Sequence, residues 1–162
     1  MLSSNLYKAI NEQINAELWS AYLYLSMSMD CQAKGYNGIA NWFYVQFQEE
    51  QAHARIFMNY LNSRDAKVEL LPIAEVRTSW DSVLDMFKQT LEHEKKVTGM
   101  INNIAAIANE DRDYASINRI TWFIDETCHL LLMLKSLLEH IENRVPRSPH
   151  LSNWQKFYLS LT

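Results

Sequence analysis

The sequence predicts an all-α protein, a four-helix bundle with one long crossover, and three observations support that prediction. Four long stretches repeat apolar residues at helical spacing, the links between them are short, long and short, and the chain has only 3 glycines and 3 prolines. Scarce glycine and proline argue against an all-β fold rich in tight turns. The 162 residues suit a single domain over 1–162, with the bundle spanning about 4–144.

The first two predicted helices are joined by a short break. The first runs over about 4–33, with apolar residues three or four positions apart at Leu6, Ile10, Ile14, Leu18, Ala21 and Leu25. Gly35 and Gly38 stand in the break, and glycine readily takes the positive φ that ends a helix. The second runs over about 39–63 and is rich in aromatic residues.

A stretch of about 15 residues, 64–78, separates the second and third helices and contains Pro72. Extended, it spans roughly 50 Å, whereas a helix of about 28 residues is roughly 42 Å long. The link can therefore run the full length of the bundle. This predicts that the second and third helices lie parallel.

The third helix is predicted to start near Ser79, a suitable N-cap residue. A short polar turn over 109–113 leads into the fourth helix, whose apolar residues follow an a/d pattern as far as Ile141. The fourth helix ends before Pro146, and we predict a short fifth helix over about 150–161.

Composition excludes several classes of function. The net charge is −4 and there is no Lys/Arg cluster, so no nucleic-acid partner is expected. No stretch approaches 18 uninterrupted apolar residues, so no membrane association is expected. The N-terminus lacks the pattern of a signal peptide, and Cys31 and Cys128 form no Cys-x-x-Cys motif. We expect a cytoplasmic protein with both thiols free.

The pair Glu50 and His53 is the first sign of chemistry. These residues are three apart, so they are neighbours on one helix face, at the spacing that carboxylate-bridged di-iron bundles use. On its own, a Glu and a His at this spacing are equally typical of a salt bridge or a helix-capping pair. Glu17, Glu94 and Glu126, however, stand within about two residues of the centres of the other three helices.

Four acidic residues at one height indicate a metal centre. Alone, each is compatible with a solvated helix face, but buried charges are costly unless they pair or bind metal. Carboxylates with one imidazole suit iron, manganese or zinc. Tyr24, two turns after Glu17 on the same face, either packs in the core or serves the centre by hydrogen-bonding a ligand carboxylate or supplying an electron.

The fourth helix fits this centre less well. Glu126 and His129 repeat the Glu-x-x-His spacing, but the a/d line passes through Thr127. At 100° per residue, Glu126 lies about 100° and His129 about 160° from Thr127. Thr127 and Leu130, both poor ligands, would then face the core. Either this helix is rotated, or Glu126 and His129 serve an adjacent third site.

On these residues the chain resembles the bacterial non-haem ferritins over nearly its whole length. The resembling stretches are 11–18, Leu23-Tyr24, 48–54, His93-Glu94 and 122–126. The resemblance implies a ferritin-like bundle that assembles into a hollow shell of 24 identical subunits. Such shells oxidise Fe(II) to Fe(III) with O2 or H2O2 at a di-iron centre in each subunit and store ferric mineral.

By position, the resemblance implies a role for five residues. Glu17, Glu50 and His53 would hold the first iron, with Glu50 bridging, and Glu94 would hold the second. Tyr24 matches the tyrosine beside the centre. These residues imply a ferroxidase, an Fe(II):oxygen oxidoreductase.

The resemblance also implies an accessory third site containing Glu49 and Glu126. At three positions of the fourth helix, however, this chain differs from the related proteins. Related proteins usually have Gln or Glu where Thr127 stands, often Glu at Leu130, and Glu at His129. A threonine hydroxyl would bind iron weakly or through water, and histidine suits Fe(III) less well than a carboxylate. We therefore expect a working two-iron centre with a loosely held second iron.

Three further hypotheses compete with this one. Haem is not expected, since Gln51 stands where the haem-binding bacterioferritins have methionine. A ligand-poor cage subunit that stores iron without a fast ferroxidase step is the main alternative. A small di-iron oxidoreductase acting on an organic substrate would need no cage, so its mass in solution would be about 20–40 kDa rather than roughly 450 kDa.

Overall fold

The computed structural model describes residues 2–144, and all of its regular structure in that range is helical. The four helices are α1 (Ser4–Ala33), α2 (Asn37–Ser63), α3 (Val83–Glu110) and α4 (Tyr114–Arg144). The predicted four-helix bundle is therefore confirmed. The predicted fifth helix over about 150–161 lies outside the described residues. None of the helices within 2–144 is both long enough and apolar enough to cross a membrane.

The turn between α1 and α2 is tight because one glycine takes a left-handed conformation. Gly35 has a φ of 79°, which residues with a Cβ rarely adopt. The amide of Tyr36 bonds back to the carbonyl of Cys31 at 2.9 Å, which closes the end of α1. α2 then begins at Asn37, two residues earlier than its apolar spacing predicts.

The start of α3 was predicted wrongly. The helix begins at Val83 rather than near Ser79, and its N-cap is Ser82, whose Oγ accepts a hydrogen bond from the Asp85 amide at 3.1 Å. The reason is a tertiary contact. The Trp80 amide donates to the Asp30 carboxylate of α1 at 3.2 Å, and Trp80 is buried in a non-helical conformation.

The crossover runs along α1 from its beginning to its end. The amide of Glu69 donates to Asn11 near the start of α1, at 2.7 Å, and the hydroxyl of Ser26 donates to the Arg77 carbonyl at 2.8 Å. α2 runs antiparallel to α1, and the crossover then leads the chain back along α1 to the end of the bundle where α2 began. α3 starts at that same end, so α2 and α3 run parallel, as predicted.

Two apolar clusters fill the bundle, one at each end. The lower cluster includes Leu6, Ile10, Ile14, Phe57, Ile101, Ile104 and Phe123. The upper cluster includes Leu23, Met27, Phe43, Trp80, Phe87 and Leu134. Burying each such side chain stabilises the fold by about 1.5–3 kcal/mol, so the clusters can offset a costly polar layer between them.

Asp113 connects the end of α2 to the start of α4. Its carboxylate accepts two hydrogen bonds from the Arg64 guanidinium, at 2.9 and 2.7 Å, and one from the Ser116 amide at 3.1 Å. The Arg64 bonds, aided by the Ser116 amide, lower the pKa of Asp113 to about 2. The residue is thus both an N-cap and one half of a bidentate ion pair.

We expect Asp113→Ala to lower the free energy of unfolding by about 2 kcal/mol at pH 7, since it removes the cap and the ion pair. Asp113→Asn keeps the cap and should cost less. Because the folded-state pKa lies below the ordinary value, the contribution of Asp113 is complete above about pH 4 and disappears towards pH 2. Urea unfolding from pH 7 to pH 2.5 measures both effects. If Asp113→Ala and Asp113→Asn lowered the free energy of unfolding equally, the capping role would be contradicted.

Candidate metal centre

Three ligand groups meet in the polar layer between the apolar clusters. Glu17 of α1 and Glu50 and His53 of α2 each place one ligand atom within 4.8 Å of the others. His53 Nδ1 lies 3.4 Å from a Glu50 oxygen and 4.0 Å from Glu17 Oε2. Glu17 is only 1% exposed and Glu50 only 3%, so the two carboxylates are almost completely shielded from solvent, while His53 is 9% exposed.

Burial changes the protonation of both carboxylates. Loss of hydration, together with the charge of Glu50, raises the pKa of Glu17 well above its ordinary value. Loss of hydration raises the pKa of Glu50 to about 8, with the charge of Glu94 adding and a hydrogen bond to Glu17 opposing. Glu50 therefore retains its proton near neutral pH, and a divalent cation would have to displace it.

Glu94 of α3 supplies a further carboxylate next to this triad. It is buried, and loss of hydration raises its pKa to about 7, while the hydroxyl of Tyr24 donates a hydrogen bond to its Oε1 and opposes the rise. Burial and nearby carboxylates raise the pKa of Tyr24 well above its ordinary value, so this hydroxyl keeps its proton. Tyr24 therefore acts as a fixed donor that orients Glu94.

The imidazole of His53 is held by aromatic packing from α4. Its ring meets Trp122 and Phe123 edge to face, with centroids 5.7 and 5.5 Å away. Phe123 is buried, whereas about half of Trp122 is exposed. These two neighbouring rings restrict how His53 can turn, and its Nδ1 lies toward the carboxylates.

The fourth helix contributes less than the other three. Thr127 is buried, but its hydroxyl donates to the carbonyl three residues earlier, at 3.3 Å, and so bonds to its own helix. Glu126 is half-buried, while Glu49 and His129 are exposed. Leu130 packs against the upper apolar cluster. Among the described residues of this helix, the buried position facing the centre is therefore occupied by a weak ligand, the Thr127 hydroxyl.

Glu126 lies at the edge of the centre, between it and the solvent. Loss of hydration raises its pKa, the charge of Glu49 adds to the rise, and His53 and His129 oppose it. These interactions place Glu126 within electrostatic reach of both the buried triad and the exposed residues. The amide of Gln46 donates to Glu49, so this acid too is oriented.

Two residues of the site were not singled out by sequence reasoning. Gln13 is fully buried, and its Nε2 donates to Glu17 Oε1 at 2.7 Å. Its position one helical turn before Glu17 was a signal that could have identified it. His93 is hydrogen-bonded to Ser20 at 2.6 Å, and burial lowers its pKa to about 4, so its ring is neutral.

Comparison with known proteins identifies relatives over most of the chain. A family model described as the ferritin-like domain matches residues 7–144. A Staphylococcus aureus protein named bacterial non-heme ferritin is 36% identical over 141 residues, which cover 87% of this chain and 85% of that protein. A Staphylococcus haemolyticus protein of the same name is 37% identical and covers 78% of this chain and 76% of its own length.

Solved structures agree with these relatives. An open pore ferritin from the archaeon Archaeoglobus fulgidus matches with a TM-score of 0.85 and 34% identity, over 88% of each chain. A humanized archaeal ferritin matches with a TM-score of 0.92 and 31% identity, over 98% of this chain and 96% of that one. Both the sequence and the helical arrangement therefore match one family.

Proposed function

Since the chain belongs to the ferritin-like domain family, we propose that it stores iron in a self-assembled shell and oxidises Fe(II) to Fe(III) at a two-iron centre in each subunit. One observation carries the proposal: two buried carboxylates and a buried imidazole converge within 4.8 Å while both acids have raised pKa values. Such a cluster is costly without a cation and suited to one.

The residues divide between two Fe(II) ions, which are the substrates. Glu17, Glu50 and His53 bind the first ion, Glu50 reaches across to the second, and Glu94 binds the second. Two Fe(II) release two electrons, which with two protons reduce O2 to H2O2 or H2O2 to two waters. The Tyr24 hydroxyl holds Glu94 in place during this exchange.

We place an accessory cation site at Glu49, Glu126 and His129, whose ligand atoms, unlike those of the triad, do not all meet within 4.8 Å in the structure. Glu126 interacts electrostatically with both of the others, and two of the three residues are exposed. Thr127 donates its hydroxyl hydrogen to its own helix and offers only a neutral oxygen, so it binds weakly or through water. The second iron is therefore held mainly by Glu50 and Glu94, and more loosely than the first.

The shell is proposed to be a homo-oligomer of 24 subunits, by similarity to the ferritin relatives. Large apolar side chains are exposed on the crossover and on α1 and supply contact surface between subunits: Leu70, Leu71, Ile73, Tyr22 and Met29. With subunits of 19.0 kDa, sedimentation should report about 450 kDa. A species of 20–40 kDa would contradict the shell.

Anaerobic Fe(II) titration followed by stopped-flow mixing with O2 tests the centre. We expect two Fe(II) per subunit and a fast oxidation phase in the wild type. Glu94→Gln should retain about one Fe(II) and slow the fast phase about tenfold or more, since it removes a ligand. The matched control is Glu92→Gln, an exposed acid on the same helix that pairs with Lys95, and it should behave as the wild type.

A specific observation favours one alternative, a cage subunit that stores iron without a fast ferroxidase step. Thr127 is a neutral hydroxyl, Leu130 has no ligand atom and His129 is exposed, so the described part of α4 offers only weak ligands to the centre. The same titration decides between the two. Little stoichiometric Fe(II) binding, with slow oxidation that Glu94→Gln leaves unchanged, would favour the passive cage.

A further inference from the structure

Gln13 is a fully buried amide whose carbonyl oxygen is left without a hydrogen bond. Its Nε2 donates to Glu17 Oε1 at 2.7 Å, but its own Oε1 has no hydrogen-bond partner among the described residues. Buried polar atoms are nearly always partnered, because an unpartnered acceptor loses its hydration without compensation. Among the described residues one other buried side-chain oxygen, Asp85 Oδ2, lacks a hydrogen bond, but it lies 2.9 Å from the Arg77 guanidinium in an ion pair, whereas Gln13 has no such compensation.

Packing does not explain this unpartnered oxygen. Ile10 and Ile14, on either side of Gln13 along α1, are buried in the lower apolar cluster. A leucine or methionine of similar size would fill the position without stranding an acceptor. What the amide adds over an apolar side chain is the single bond to Glu17.

That bond makes the two oxygens of Glu17 different. Oε1 receives the amide hydrogen of Gln13, while Oε2 is the oxygen that lies 4.0 Å from His53 Nδ1. A carboxylate with one oxygen engaged in this way presents the other to a metal and resists turning to offer both. Outer hydrogen bonds of this kind orient metal ligands in many sites.

We propose that Gln13 is a positioning residue that presents Glu17 to the first metal ion through one oxygen. The inference rests on the proposed function and deepens it. Single-oxygen binding leaves more of the first ion's coordination positions free for the bridging Glu50 and for the oxidant. Gln13 itself binds no metal.

Anaerobic Co(II) titration of the full chain tests this, because the d–d absorption of Co(II) reports how many ligand atoms surround it. Gln13→Leu and Gln13→Met both remove the bond to Glu17 and the unpartnered oxygen. We expect Co(II) affinity to fall about tenfold and the d–d bands to change in intensity. The urea midpoint of the apo-protein should stay the same or rise, since no buried acceptor remains.

Ser28→Ala is the matched structural control. Ser28 is buried on the same helix and its hydroxyl donates to the Ala40 carbonyl at 2.7 Å, away from the carboxylates. We expect this variant to lose stability while keeping the wild-type Co(II) affinity and spectrum. The two Gln13 variants should therefore lose metal affinity without losing stability, and Ser28→Ala should lose stability without losing metal affinity.

The outcomes separate this inference from the proposed function. Wild-type Co(II) affinity and spectrum in both Gln13 variants would overturn the positioning role and leave the metal centre intact. Loss of folding in both variants would also overturn it, because the amide would then be structural. Failure of the wild type to bind Co(II) would overturn the inference and the proposed function together.

Discussion

Glu50→Gln should abolish paired Fe(II) binding and slow the fast oxidation phase by at least about 100-fold. Glu50 occupies the middle of the site: one of its oxygens lies 3.4 Å from His53 Nδ1, and it interacts with both Glu17 and Glu94. An amide keeps the shape of the side chain but removes the negative charge that two cations would share. Both iron positions therefore weaken at once, whereas Glu94→Gln weakens one.

The same variant should make the apo-protein more stable at alkaline pH. Burial raises the pKa of Glu50 to about 8, so above that pH the folded protein holds an unfavourable buried charge. Replacing it with a neutral amide should raise the free energy of unfolding by about 1–3 kcal/mol at pH 9. A variant that loses activity but gains stability identifies a residue whose role is to bind metal rather than to stabilise the fold.

The matched control for both measurements is Glu12→Gln, an exposed acid on α1 that pairs with Lys8. It removes the same charge without touching the site, and we expect wild-type iron stoichiometry, rate and stability. Anaerobic titration, stopped-flow absorbance and urea unfolding supply the three readouts. Two tightly bound Fe(II) per subunit in Glu50→Gln would refute the bridging role.

Metal binding at pH 7 should release about one to two protons per subunit when both positions fill. Loss of hydration raises the pKa of Glu50 to about 8 and that of Glu94 to about 7, so in the apo-protein at pH 7 Glu50 is mostly protonated and Glu94 about half protonated, and the pKa of Glu17 is raised in the same direction. Each cation must displace those protons. Its apparent affinity should therefore increase steeply between pH 6 and pH 8.

Calorimetry with Zn(II) in two buffers of different ionisation enthalpy counts the released protons without any oxidation step. We expect the count to fall at pH 9, where Glu50 and Glu94 have already ionised. Glu50→Gln should release fewer protons, while Glu12→Gln should match the wild type. A proton count near zero at pH 7 would mean that the buried acids are ionised without metal.

The stability of the apo-protein should decrease as the pH rises, whereas its apparent metal affinity should increase. These carboxyl groups have folded-state pKa values above their unfolded value of 4.5, so they contribute most stability below pH 4.5. That contribution disappears as the pH rises through 7 and 8. Urea unfolding of metal-free protein should therefore show lower stability at pH 9 than at pH 6, and saturating Zn(II) should restore it. Constant apo stability over this range would contradict the argument.

Helical periodicity alone was enough to predict the four helices, because each apolar stripe recurs over many turns. It was not enough to place the start of α3. Ser79 and Ser82 are equally good local caps, and the choice depends on Trp80 bonding to Asp30 and Lys34, which lie 50 and 46 residues away in the sequence. A contact between such distant residues leaves no signal in the local pattern.

The sequence by itself determined the pairing of Glu50 with His53, since residues three apart on a helix are neighbours whatever surrounds them. It also predicted that four acids lie at one height. Only the tertiary structure decided that Glu17 joins this pair, that Tyr24 bonds to Glu94 across 70 residues, and that Gln13 is left with an unused oxygen. The physical reason is that helix rotation and register are set by packing the two apolar clusters. The same packing removes water from the carboxylates and raises their pKa values.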